Sequence, residues 1–275
     1  MKQPMHFTTK IVHSKDGTTI TYRQCGKGPG LIVVPGALAM AKDFDHFAAE
    51  LGRHFTVYTV NRRGRPGSGG QGANYSIQKE IADVDAVQQA TNAQYIFGHS
   101  FGGFLALEYG RSRPHIKKVV VYEPGVSVGG SITMDWVHHS TKHLDNNRPL
   151  DAFVEFVRAM NPDSAKAPRW VLKAMLPLFI PKAERQQKYA LLPSTIKEHA
   201  EEVRLNDTHH NYKEISADVL LVRGGKANAT TPATQTLGEV FSTWQTHTFP
   251  KLDHFGPEKA PRKIASAVHQ FAVKQ

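Results

Sequence analysis

The sequence predicts an α/β architecture: a mostly parallel sheet with helices on both faces, interrupted late in the chain by a helical insertion. Two observations carry this. Short apolar runs bounded by glycine alternate with segments of helical spacing over residues 18–124, and again from 218 onward. Between 126 and 214 the rhythm stops and proline-interrupted helical pieces replace it. Strand–helix alternation implies parallel strands joined by right-handed crossovers, with helices covering both sheet faces.

Each element follows from its residues. "TTITYRQCG" (18–26) alternates and ends at glycine, a strand. "GLIVVPG" (30–36) is a continuous apolar run, as in a strand buried on both faces. "DFDHFAAEL" (43–51) has helical spacing, and "FTVYTVN" (55–61) is the next strand, leading into the loop "RRGRPGSGGQGA". "SIQKEIADVDAVQQA" (76–90) places Ile77, Ile81, Val84 and Val87 on one helical face, with Ser76 as N-cap. "QYIFGHS" (94–100) is a strand, "FGGFLALEYGRS" a helix and "KKVVVYEP" (117–124) a strand. Pro149, Pro162, Pro168, Pro177, Pro181 and Pro193 break the pieces that follow. The rhythm resumes with the strand "DVLLVRGG" (218–225), a helical piece near 232–241, the strand "WQTHTF" (244–249) and a helix after Pro261. The expected organisation is a core of residues 1–125 and 215–275 carrying 126–214 as an insertion.

A chain of 275 residues suits one large domain or a domain with an insertion. With 40% apolar and 21% charged residues, a packed core is expected. The formal charge of +10 raises nucleic acid as a partner, but the charges are scattered. The densest cluster, "NRRGR" (61–65), sits in a glycine-rich loop and reads as solubility or attraction of anions, not as a nucleic-acid site. Cys25 is the single cysteine, so no intramolecular disulfide forms, and a reducing, cytoplasmic setting is expected. The first ten residues show no apolar signal core. No run approaches the roughly 18 apolar residues of a membrane span. "WVLKAMLPLFI" (170–180) comes nearest and contains Lys173 and Pro177. The paired histidines at 138–139 and 209–210 are isolated, and "GGQGA" lacks the lysine of a phosphate loop. Neither metal nor cofactor is expected.

"GHSFG" (98–102) follows an apolar strand and opens a helix. A sharp strand-to-helix turn needs small neighbours, which Gly98 and Gly102 supply, and it exposes Ser100 at the positive end of a helix. A serine hydroxyl needs a base to become nucleophilic. Among 15 histidines, position selects His254, in the loop "KLDHFGPEKAP" (251–261) after the last strand. His99 faces away from Ser100 at a sharp turn and reads as packing or orientation.

With "LIVVPGALA", "NRRGRPGSG", "GHSFGG", "VVVYEP" and "DHFGP" in this order, the chain resembles the α/β-hydrolase family on both sides of the insertion. The resemblance implies an α/β-hydrolase fold with an eight-stranded, mostly parallel sheet, and a helical cap at 126–214 that shapes the substrate pocket. The family order of nucleophile, acid, histidine agrees with Ser100 before His254. It also implies an oxyanion hole from the backbone amides of Phe101 and Ala37. Pro35-Gly36 stands where the family commonly has His-Gly, which leaves backbone donors intact.

The acid is the departure. Gly225 and Pro232 fit the frame in which the family carries an aspartate, and Asn228 occupies that slot. An amide cannot stabilise the imidazolium as a carboxylate does, and the corresponding change in a serine protease costs about 10⁴ in rate. Three readings stand open. The acid has moved to Glu123 at the end of "VVVYE", where dehalogenases and zearalenone-type lactonases carry theirs. Asn228 has replaced an aspartate and the enzyme is impaired. Or Asn228 orients His254 as asparagine does in Cys-His-Asn proteases. "YEP" also occurs in relatives that keep the aspartate, where such a glutamate shapes the pocket. Asp253 adjoins His254 with its side chain turned elsewhere.

Trp136, Phe153, Phe156, Trp170, Met175, Leu178 and Phe179 are candidates for an apolar pocket or for the insertion's own core. The resulting expectation is a capped serine hydrolase acting on a small uncharged carboxylic ester or lactone through an acyl-enzyme. The alternatives are a carbon–carbon bond hydrolase or perhydrolase with the same triad, or an impaired, ligand-binding homologue. A serine nucleophile argues against epoxide hydrolases and haloalkane dehalogenases, which use aspartate.

Overall fold

The computed structural model describes residues 5–226 and 236–273. Eight strands form one sheet: β1 (Thr8–His13), β2 (Thr19–Cys25), β3 (Gly30–Val34), β4 (Thr56–Asn61), β5 (Tyr95–His99), β6 (Lys118–Tyr122), β7 (Asp218–Gly224) and β8 (Trp244–Phe249). Their order is β1-β2-β4-β3-β5-β6-β7-β8. β2 runs antiparallel to both its neighbours, and β4 onward is parallel.

The apolar run in β3 feeds both faces, because successive side chains point to opposite sides. Ile32 and Val34 join the core under α2 (Ile77–Thr91) and α3 (Phe101–Gly110). Leu31 and Val33 join the core under α1 (Asp45–Leu51) and the final helix. β1 escapes sequence reading because it is an edge strand, mostly exposed, with no buried face to impose alternation. The predicted helix at 43–51 begins as a 3-10 turn, Ala41–Phe44, before α1. Ser76 occupies the N-cap of α2, but its hydroxyl makes no capping bond. Glu201 Oε2 accepts the Ile77 N–H instead, at 2.9 Å.

Between β6 and β7 lie five helices: α4 (Asp135–Asp145), α5 (Pro149–Met160), α6 (Pro162–Lys166), α7 (Arg169–Phe179) and α8 (Lys182–Arg204). Not every proline breaks a helix. Pro149 and Pro162 start helices, Pro168 and Pro181 precede them, and Pro177 and Pro193 lie inside α7 and α8. Tertiary burial keeps α8 continuous, since Leu191, Leu192, Thr195 and Glu198 around Pro193 are all buried. Leu191 and Leu192 pack with Phe153 against Leu38 in the turn after β3 and seat the inserted helices on the sheet. After β8 come α9 (Gly256–Lys259) and α10 (Pro261–Ala272). Among the described residues no helix is long and apolar enough to cross a membrane.

Two expectations are corrected here. The basic cluster is not at the surface: Arg62, Arg63 and Arg65 are at most 2% exposed. Arg63 pairs with Asp83 at 2.6 Å, Arg62 with Glu80 and Glu198 at 2.9 Å each, and Arg65 with Glu198. The apolar set in the insertion also divides. Trp136 and Phe153 are buried and Phe156 half-buried, whereas Trp170, Leu178 and Phe179 are more than 70% exposed and Met175 is exposed too. α7 turns Leu172 and Leu176 inward, which leaves its other side in solvent.

Candidate active site

The turn after β5 is built by glycines. A Cβ on Gly98 would lie 2.2 Å from the Gly102 carbonyl oxygen, and one on Gly102 would lie 2.1 Å from that of Val34. Between them Ser100 takes φ 54°, ψ −124°, a conformation costing of order 1–3 kcal/mol in a non-glycine residue. Its amide donates to the Tyr122 carbonyl at 3.0 Å, and its carbonyl accepts from Gly103, Phe104 and Gly125. Those bonds hold the strain in place. Phe101 is the first residue of α3, so its N–H finds no carbonyl within the helix. The turn after β3 lies against the nucleophile: a Cβ on Gly36 would sit 3.0 Å from Ser100 Cβ. Ala37 follows directly, half-buried.

Glu123 ends β6 with φ +43° and is fully buried. Its Oε1 accepts the Gly224 N–H at 2.7 Å, and its Oε2 lies 2.7 Å from His254 Nδ1. A carboxylate accepts only, so Nδ1 carries the proton and Nε2 keeps its lone pair. His254 comes from the loop after β8, and two side chains hold that loop. His99 Nε2–H donates to the His254 carbonyl at 2.7 Å, and the Tyr122 hydroxyl donates to the Asp253 carbonyl at 2.6 Å. Burial, and then the neighbouring His254, push the His99 pKa well below its ordinary value, so the ring stays neutral. Asp253 turns away: its carboxylate accepts from the Phe255 amide and the Lys259 ammonium. Asn228 lies outside the described residues.

The structure therefore brings Gly36, just before Ala37, against Ser100 and brings Glu123 against His254, with Ser100 and Phe101 following β5 and Glu123 following β6. His99 serves orientation, as its position suggested. Tyr122 and the Gly224 amide escaped sequence reading, because a strand tyrosine and a backbone N–H carry no motif.

From the inserted helices, Glu202 reaches the same place. A Cβ on Gly125 would lie 2.0 Å from Glu202 Oε1 and 3.5 Å from the Phe101 nitrogen. Burial, and then the charge of Glu198, raise the Glu202 pKa well above the carboxylate range. His199 Nε2 stands 3.6 Å from Glu202, and burial lowers the pKa of that ring. Trp136 and Phe156 pack edge-on against His199 at 5.5 and 5.9 Å. Helical glutamates ordinarily face water, so Glu202 carries no signal in the sequence. Among the described residues no group of three or more His, Cys, Asp or Glu side chains could hold a metal ion.

The arrangement can polarise a serine through a carboxylate-backed histidine beside two backbone donors. The chain is 32% identical over 112 residues to N-formylmaleamate deformylase from Pseudomonas putida, covering 39% of this chain and 42% of that protein. The matched part is thus less than half the length of that relative. An alpha/beta hydrolase from Sphaerobacter thermophilus superposes with TM-score 0.82 at 26% identity, over 96% of this chain and all of that one. An esterase from a Rhodococcus species shares the fold at TM-score 0.69 and 19% identity, over 96% and 98% of the two chains. The sheet order, the strained serine turn and a family-model match across residues 31–267 lead to one conclusion: the chain belongs to the alpha/beta hydrolase family.

Proposed function

We propose that the chain is a serine hydrolase cleaving a small uncharged carboxylic ester or lactone. One observation carries the reading: the 2.7 Å contact between Glu123 and His254 Nδ1, beside a serine held in a strained turn. Ser100 Oγ attacks the carbonyl while His254 Nε2 takes its proton, and Glu123 stabilises the imidazolium. The Ala37 and Phe101 amides receive the oxyanion. His254 then protonates the leaving alkoxide, and water activated by the same nitrogen releases the acid. Residues 126–214 act as the cap over this site. An uncharged substrate is supported by Glu202, which stands beside Gly125 and whose carboxyl burial pushes toward the neutral form.

A second reading is cleavage of an N-formyl amide, favoured by the local identity to the deformylase. It uses the same residues. The test is a fluorophosphonate probe together with a panel of a short-chain aryl ester, a lactone and an N-formyl amide. Stoichiometric labelling, lost in Ser100→Ala, with fastest turnover of ester or lactone is expected. Preference for the formyl amide selects the second reading. Neither labelling nor turnover would leave a ligand-binding homologue.

A further inference from the structure

The carbonyl behind Ala37 is held by a buried cation. Arg62 follows β4 directly, and its side chain is 1% exposed. Its Nη2 donates to the Gly36 carbonyl at 3.1 Å and to Glu198 Oε2 at 2.9 Å, while Nη1 donates to Glu80 at 2.9 Å. The same guanidinium stands over the Phe101 ring, 4.6 Å from its centroid. One group thus touches the carbonyl that precedes the Ala37 amide and the ring of Phe101, and the amides of Ala37 and Phe101 are the proposed oxyanion donors.

Gly36 C=O and Ala37 N–H belong to one planar peptide unit. A charged donor on the oxygen fixes the direction of the N–H and polarises the amide, which strengthens it as a donor. Glu198 comes from α8 and also binds Arg65 and Gln71, so the seating of α8 on the loop after β4 sets where Arg62 lies.

We propose that Arg62 is a positioning residue of the oxyanion hole, and that Glu198 makes its placement depend on the docking of α8. The proposal rests on the serine-hydrolase reading above. Loss of an oxyanion-hole donor costs about 10²–10³ in kcat, so partial misplacement should cost about tenfold to a hundredfold. The full chain is compared with Arg62→Lys, which keeps the charge but not the planar fork. Glu198→Gln is the second variant and keeps one acceptor oxygen but not the charge.

The expected result is a kcat on an aryl acetate lowered by that factor at nearly constant KM. The affinity for a trifluoromethyl ketone, a mimic of the tetrahedral adduct, should fall by the same factor. Folded variants with kcat and ketone affinity within about twofold of the parent overturn the proposal. So does loss of folding in both variants, which assigns the guanidinium to stability alone. The parent chain separates the two readings. If it neither turns over ester nor labels at Ser100, the hydrolase reading falls. If it does both and the variants match it, only the role of Arg62 falls.

Discussion

Glu123, just after β6, and Glu198, in α8, are both fully buried carboxylates, yet their surroundings differ. Glu198 faces two guanidiniums and the Gln71 amide. Glu123 meets one backbone N–H and one imidazole, whose side chain is 32% exposed. A glutamate among arginines is saturated, with no proton left to move. A glutamate on a histidine fixes the orientation of the ring and leaves its other nitrogen unengaged by the carboxylate. The partner, more than the burial, separates scaffold from chemistry.

The comparison is broken most directly by making both glutamates neutral or absent. Glu123→Gln should lower kcat/KM on an aryl ester by about 10³–10⁴ while changing the melting temperature little, as acid-to-amide changes do in catalytic triads. A loss below tenfold would mean that the acid lies elsewhere. Glu198→Ala leaves Arg62 with Glu80 alone and removes the carboxylate paired with Arg65, and should cost about 3–5 kcal/mol of stability, read by urea unfolding. A cost below about 1 kcal/mol would show that the ion-pair hub is dispensable.

Glu202 sharpens the contrast as a third buried glutamate, with no cation in hydrogen-bonding reach. Its pKa is raised in the folded state, so the folded protein holds a proton that the unfolded chain releases first. Stability from this group is full below the ordinary carboxylate range and falls as pH rises toward the raised folded value. Glu202→Gln removes that loss. Its unfolding free energy should decline less than the parent's between about pH 5 and 8. Parallel curves would place the ionised form in the parent. The smallest effect concerns the family's usual acid slot. With Glu123 backing His254, Asn228→Asp should change kcat/KM by less than about threefold, and a hundredfold rise would return the acid to position 228.

The sequence made Ser100 legible because a sharp turn demands glycines at fixed offsets, and His254 because it lies in the loop after the last strand. It also marked Glu123 as one of two candidate positions beside Asn228, since a strand end is a place and not a contact. The missed elements share a cause. β1 has no buried face, and so no alternation. Arg62, Arg63 and Arg65 resemble a surface patch until the acids that neutralise them, 18 to 136 positions away, are brought in by folding. The exposed side of α7 reads like core, because apolar spacing says which residues share a face and not what covers it.

By itself, then, the sequence determined the alternating architecture and the sharp serine turn, and it singled out Ser100 and His254 as candidates, all from local periodicity, steric demand and place in the chain. Tertiary structure alone decided which carboxylate meets His254, which cation meets Gly36 and which glutamate stays neutral. Those outcomes depend on through-space partners and on the dielectric around them, and neither is written in the order of the residues.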